Sequence, residues 1–314
     1  MYYLGVDLGG TNISIGVVDE NYNIVGRAVN PTGADRDYGD IIADMAKTAY
    51  EAIENAGLKK SDIAYVGIAA PGTVDPVEGK VVYANNLPFR DTPVLSEFKR
   101  LTGFKCGIAN DANAAALGEL LAGAGKGGVK DFIALTLGTG VGGGIVIDGK
   151  IYTGFNYSGG ELGHITINCD GIICNCGNRG CLEAYASATA LIRQTREAMQ
   201  GDKNSVMWEI AGSLEKVNGR TAFDGMRRGD ETSSRVVDKY ISYLAYGIIS
   251  LINIFQPEFI CVGGGICNEG ETLMKPLREK VALGDYNKAL KKTEIIRAEL
   301  GNDAGIIGAA MLWK

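Results

Sequence analysis

Two stretches decide how this chain folds: Leu4-Gly-Val-Asp-Leu-Gly-Gly-Thr-Asn-Ile-Ser-Ile-Gly-Val-Val-Asp19 and Ala134-Leu-Thr-Leu-Gly-Thr-Gly-Val-Gly-Gly-Gly-Ile-Val-Ile-Asp148. Each reads as a β-strand, a Gly/Thr turn, a second strand and an acidic stop. Glycine lets peptide N–H groups approach an anion with no Cβ in the way. Thr11, Thr136 and Thr139 add hydroxyl donors, so both turns suit phosphate cradles. A plain hairpin turn also favours glycine, and one such turn alone carries little weight. Two matched copies point to an internal duplication. Neither turn has the P-loop form Gly-x-x-x-x-Gly-Lys-Ser/Thr, and neither is a strand-to-helix Gly-x-Gly-x-x-Gly.

Outward from the first hairpin, Tyr2–Leu8, Ile13–Val18 and Ile24–Val29 read as a strand meander. A helix over Ile41–Ala56 ends at Gly57, and Ile63–Ala69 is the near-continuous apolar run of a buried parallel strand, broken by Pro71-Gly72. A helix near Val94–Thr102, a strand at Cys106–Ala109 and an Ala-rich helix from Asp111 complete the first half. After the second hairpin come helices near Ala184–Met199 and Ser233–Phe255. The strand Phe259–Val262 then runs into Gly263-Gly264-Gly265, and a closing helix lies near Ala304–Leu312. Meanders alternating with helices imply two α/β domains with a cleft between them. The expected boundaries are 1–115 and 116–299, with 300–314 packing back on the first domain and a metal-binding loop over 160–183.

The 314 residues carry 31 Lys+Arg against 37 Asp+Glu, a net charge of −6, which suits two domains of about 150 residues and excludes a disulfide-stapled miniprotein. With no basic cluster, neither nucleic acid nor an anionic membrane surface is an expected partner. The apolar run Ile241–Phe255 is interrupted by Ser242, Ser250 and Asn253 and falls short of the ~20 residues of a membrane span. Strand pattern begins at residue 2 with no basic leader, so a cytoplasmic protein is expected. Of 7 cysteines, Cys174, Cys176 and Cys181 crowd together, which fits reduced thiols, some on a metal.

His164, the 1 histidine of the chain, precedes those three cysteines. A structural zinc takes four tetrahedral N/S ligands, and Cys-x-Cys-Gly-x-x-Gly-Cys supplies the turn glycines that let thiolates converge. Cys169 lies between and could substitute for Cys174. A closed four-ligand shell has no position for a reacting water, so such a zinc shapes a loop rather than performing chemistry. Asp7, just before the first turn, suits Mg²⁺ or its water; the plain alternative is a strand-end Asp bonding local backbone. Asn110-Asp111 stands at a strand-to-helix junction, where ligands sit beside parallel sheets and where Asp and Asn also serve as N-caps. Glu161 and Glu183 flank the cysteine–histidine set. A carboxylate pair there accepts hydrogen bonds from a polyol; without the metal, both read as surface glutamates.

Gly5-Val-Asp-Leu-Gly-Gly-Thr-Asn12 resembles the first phosphate segment of the ROK sugar kinases, and paired hairpins in duplicated α/β halves resemble the actin and hexokinase (ribonuclease H-like) fold. The likeness extends over essentially the whole chain, through Ala70-Pro-Gly-Thr-Val-Asp75, Asn110-Asp-Ala-Asn-Ala-Ala-Ala-Leu-Gly-Glu119, Gly160-Glu-Leu-Gly-His164, Cys174-Asn-Cys-Gly-Asn-Arg-Gly-Cys-Leu-Glu183 and Gly301-Asn-Asp-Ala-Gly305. The resemblance implies ATP-dependent phosphorylation of a hexose, foremost glucose at its 6-hydroxyl, with Asp111 as general base. It implies sugar contacts from Asn110, Glu161, His164 and Glu183, with Gly72 and Asn86 along the sugar wall. Asp7 (through Mg²⁺), Gly9, Gly10, Thr11, Asn12, Gly138, Thr139, Gly140, Gly142 and Gly143 would take the ATP phosphates, and Gly264 and Gly265 would border the nucleoside. Zinc would sit on His164, Cys174, Cys176 and Cys181, and the chain would form a homodimer or higher homo-oligomer. Other readings are a sugar-sensing repressor, for which the early first strand leaves no room for a helix-turn-helix, and a kinase of N-acetylmannosamine, fructose or allose. An actin-like ATPase would explain the hairpins but not Asp111 together with the glutamates.

Overall fold

The structure is a computed structural model that describes residues 1–313. Its first strands, β1 (Tyr2–Leu8), β2 (Asn12–Val18) and β3 (Ile24–Pro31), form an antiparallel meander with Asp7 opposite Ser14 and Ile15 opposite Ala28. Helix α1 (Tyr38–Asn55) starts where the Asp37 carboxylate accepts the Gly39 N–H, and it buries Ile41, Ile42, Met45, Ala49, Ala52 and Ile53 at helical spacing. Strand β4 (Ile63–Ala70) then pairs parallel with β1. A small antiparallel sheet follows, of β5 (Thr73–Asp75), β6 (Lys80–Tyr83) and β7 (Arg90–Thr92). Helix α2 (Val94–Thr102) ends on left-handed Gly103 and leads to β8 (Cys106–Asn110), parallel to β4, and to α3 (Asp111–Leu121). The first sheet has the order β3-β2-β1-β4-β8.

The chain then repeats itself. Strands β9 (Phe132–Leu137), β10 (Val141–Ile147) and β11 (Lys150–Tyr152) are followed by helices α4 (Glu183–Ala186), α5 (Ala188–Gly201), α6 (Met207–Ala211), α7 (Thr221–Arg227) and α8 (Glu231–Phe255). Next come β12 (Phe259–Gly263), α9 (Glu271–Gly284), β13 (Glu294–Arg297) and α10 (Asp303–Ala310). The second sheet has the order β11-β10-β9-β12-β13. Strand for strand this is the first sheet again, a three-strand meander with two strands added beyond its first member, which is the duplication the paired hairpins imply.

One helix expected over 184–199 is two. Ser187 is extended (φ −77°, ψ 165°) and its hydroxyl oxygen caps α5 by accepting the Ala190 N–H at 3.0 Å. A serine side chain that competes for backbone donors ends one helix and starts the next. The small sheet β5–β7, helix α9 and strand β13 are elements that the periodicity does not announce.

The chain divides into two compact units. The first holds Met1–Ala134, Gly144–Gly160 and the chain from Glu299 onward; the second holds Leu135–Gly143 and Glu161–Ala298. In the first unit Leu4, Val6, Ile15, Val66 and Ile68 are fully buried with Ile42, Met45 and Phe98 from the helices. Helix α10 lies against α3, β1 and β4 through glycines. A Cβ on Gly5 would stand 1.8 Å from the Ile306 carbonyl oxygen, and one on Gly67 1.7 Å from that of Ala309. Buried Glu119 fixes the returning segment, its carboxylate accepting the N–H groups of Ala124, Glu299 and Leu300. No helix among the described residues is long and apolar enough to cross a membrane.

Candidate active site

In the first unit the Gly9–Thr11 turn is braced from β3's exit. Fully buried Thr32 donates its hydroxyl to the Gly9 carbonyl at 2.7 Å and its N–H to the Thr11 carbonyl at 2.8 Å, while the Gly9 N–H donates to the Asn12 carbonyl at 2.9 Å. With those carbonyls tied down, the N–H groups of Gly10 and Thr11 are what the turn has to offer an anion. Asn86 stands beside this turn, since a Cβ on Gly10 would come 2.9 Å from its Nδ2. Asp7 precedes the turn. Burial first, and the charge of Asp111 second, push its carboxyl up to about 6, so the two carboxylates share one electrostatic field.

Asp111 owes its place to its neighbour. Asn110 is extended and takes the N-cap of α3, its Oδ1 accepting the N–H groups of Ala112 at 2.9 Å and Asn113 at 3.2 Å, and its Nδ2 donating to the Gly72 carbonyl at 3.0 Å. Asp111 becomes the first helical residue, one carboxylate oxygen accepting the Ala112 N–H at 2.8 Å. Capping therefore falls to Asn110, and one N–H of its amide is committed to Gly72. Gly72 is held at φ +87°, where a Cβ would come 2.1 Å from the Tyr83 carbonyl oxygen. Asp7 on β1 and Asp111 after β8 thus lie at the carboxyl ends of strands, where open α/β sheets bind ligands.

In the second unit His164, Cys174, Cys176 and Cys181 converge, one ligand atom from each lying within 4.8 Å of the others. His164 Nδ1 is 3.7 Å from Cys174 Sγ, and Cys176 Sγ is 3.6 Å from Cys181 Sγ. Those spacings match the ~3.8 Å edge of a tetrahedron built on Zn–S bonds of about 2.3 Å. Burial first, and bonds from Cys176 and Cys174 next, push the Cys181 thiol up to about 12, and burial raises Cys174, whereas a backbone bond at Asn178 lowers Cys176. A cation there would take all three as thiolates. Cys169 is exposed and outside the group.

The second glycine turn is tight, with the Gly138 N–H donating to the Gly140 carbonyl at 3.0 Å. Glu183 meets both features: Oε2 accepts the Val141 N–H at 2.9 Å and Oε1 lies 3.7 Å from Cys174 Sγ. Glu161 precedes the single turn Leu162–His164 that presents the histidine. Gly264, at φ +95°, allows close approach to Leu137, whose carbonyl oxygen would be 2.2 Å from a Cβ; Gly265 faces open space. The bonds of Thr32 and of Glu183 to the two turns escape sequence reading, because no local pattern marks a contact between residues 23 or 42 positions apart.

A meander with two added strands, used twice in one chain and carrying a glycine turn each time, is the ribonuclease H-like duplication of the actin and hexokinase class. Within that class the chain belongs to the ROK family, whose model matches residues 3–314. A glucokinase of Thermotoga maritima is 40% identical over 312 residues, 99% of this chain and 96% of that one. The crystal structure of a ROK family glucokinase from Streptomyces griseus in complex with glucose and AMPPNP matches with a TM-score of 0.82 at 33% identity, covering 99% of each chain. A ROK hexokinase from Thermus thermophilus matches with a TM-score of 0.84 at 32% identity, over 99% of this chain and 97% of that one.

Proposed function

We propose that this protein is an ATP-dependent hexose kinase that converts glucose to glucose 6-phosphate. The observation that carries the reading is the division of labour at the start of α3: Asn110 does the capping, so Asp111 is a helix-start carboxylate in the field of half-buried Asp7 beside a glycine turn. A sugar alcohol is a poor nucleophile, and a positioned carboxylate orients its oxygen and accepts its proton as the γ-phosphoryl transfers. Asp111 has that role. Asp7 holds Mg²⁺ directly or through water, which supplies the positive charge that a nucleoside triphosphate brings to such a site. Gly9, Gly10, Thr11 and Asn12 in the first unit, and Gly138, Thr139, Gly140, Gly142 and Gly143 in the second, offer backbone and hydroxyl donors to the phosphates.

Asn110, Glu161, His164 and Glu183 fix the hexose hydroxyls, with Gly72 and Asn86 as neighbours and Gly264 and Gly265 bordering the nucleoside. His164, Cys174, Cys176 and Cys181 hold zinc. When bound, the ion braces the loop, and His164 keeps its second ring nitrogen for the sugar. A panel of hexoses at fixed ATP and Mg²⁺, read by ADP release, tests the reading. Glucose should give the highest kcat/KM, and Asp111→Asn should lower kcat by about 10²–10⁴-fold. An Asp111→Asn protein that turns over at the parent rate would remove Asp111 as the base, and hexose-independent ATP hydrolysis would remove the kinase reading.

A further inference from the structure

The turn at Gly138–Val141 is gripped from outside by the segment that carries the cysteine–histidine cluster. A Cβ on Gly163 would stand 2.1 Å from the Val141 carbonyl oxygen, and one on Gly143 would meet Leu162 at 2.7 Å. The break at Ser187 frees the Ala188 N–H to donate to the Gly138 carbonyl at 2.8 Å, and the Thr189 hydroxyl donates to the Thr139 carbonyl at 2.8 Å. Glu183, two residues beyond Cys181, closes the grip on Val141.

We propose that Glu183 is a positioning residue that couples metal occupancy of the cluster to the shape of the Gly138–Val141 turn, so that the metal supports nucleotide binding as well as hexose binding. This rests on the reading of that turn as a phosphate cradle. An ionised carboxylate accepting a peptide N–H makes one of the stronger protein hydrogen bonds. Gly140 is what admits it, because a Cβ there would lie 2.2 Å from Glu183 Oε2. Loss of the metal releases Cys174 and Cys181, and with them the start of α4 on which Glu183 is built.

The test uses zinc-loaded full-length protein. Hydrogen exchange is followed over 138–147 with 1–19 as internal control, metal content is assayed, and binding of a non-hydrolysable ATP analogue with Mg²⁺ is measured without hexose. Glu183→Ala should exchange about tenfold faster over 138–147 and bind the analogue about fivefold more weakly, with 1–19 unchanged. Glu183→Gln keeps an acceptor oxygen and should restore both readings to within about threefold of the parent, while hexose affinity stays reduced. Gly140→Ala crowds the carboxylate without touching a ligand and should reproduce the Glu183→Ala pattern, which covers the case in which Glu183→Ala loses metal. Parent-like exchange over 138–147 in Gly140→Ala, or failure of Glu183→Gln to restore protection, overturns the proposal. Absence of turnover with every hexose would instead refute the kinase reading and leave the exchange results standing.

Discussion

At Asp7 the fold opposes the charge of a carboxylate. Its carboxyl titrates near 6 in the folded chain against an ordinary 3.8, through burial and then Asp111. Between those values the native state holds more protons than the unfolded chain, so stability falls as pH rises through the window and the loss is complete above it. A shift of this size corresponds to about 3 kcal/mol. Asp7→Asn stays neutral throughout. In buffer free of divalent cations, the variant and the parent should unfold at similar urea concentrations near pH 4, and the variant should be the more stable at pH 8. Parallel pH profiles for the two would show that Asp7 is not desolvated as the structure has it. At this scale the sequence was generous with chemistry and poor in geometry. The cysteine–histidine set was legible because thiols that close together have few other uses. The choice between Asn110 and Asp111 as helix cap was not, since both residue types cap and one peptide unit separates them.

Helix α10 is seated by backbone contact rather than by side chains. A Cβ on Gly308 would stand 1.7 Å from the Ala114 carbonyl oxygen, and neither backbone can yield without separating α10 from α3. Gly308→Ala should therefore cost at least about 3 kcal/mol, the upper end of ordinary overpacking, and lower Tm by roughly 6–12 °C. Gly57→Ala is the matched control: φ is +69° with nothing within 4 Å, so only the left-handed conformation opposes it, at about 1 kcal/mol. Equal losses in the two variants would refute the seating. The β1–β2 hairpin and α2 stood out in the sequence because β-branched runs and helical spacing are bounded there by glycine. Strands β5 to β7 did not, being three or four residues long among Pro71, Pro76, Pro88 and Pro93. Helix α9 was hidden by Pro276 in its interior, where proline normally argues against a helix. The break at Ser187 is made by a local side-chain cap and is accompanied by a bond from the Ala188 N–H to the Gly138 carbonyl, far away in sequence.

At the scale of the whole molecule the cluster belongs to one unit, and that unit contains the least self-supporting part of the chain. From residue 161 to 182 there is no strand or α-helix, only the turn Leu162–His164 and two isolated bridges, Thr166 with Cys181 and Ile173 with Arg179. Ile172 is 38% exposed and Ile173 64%, so little apolar burial anchors the segment. A loop of this length without regular structure stays ordered when something fastens it, and the four ligands are the fastening available. The first unit has its own five-stranded sheet and buried core and contributes none of the four cluster residues. Removing metal should therefore act on one unit and spare the other. Limited proteolysis after treatment with a strong chelator should cut first between Glu161 and Ala186, at least tenfold faster than in the loaded protein, while fragments from Met1 to Ala134 keep their resistance. Adding zinc back should restore protection of the cut segment. Cleavage spread evenly over both units, or a chelator-treated protein as resistant as the loaded one, would show that the loop is held by something other than the cluster.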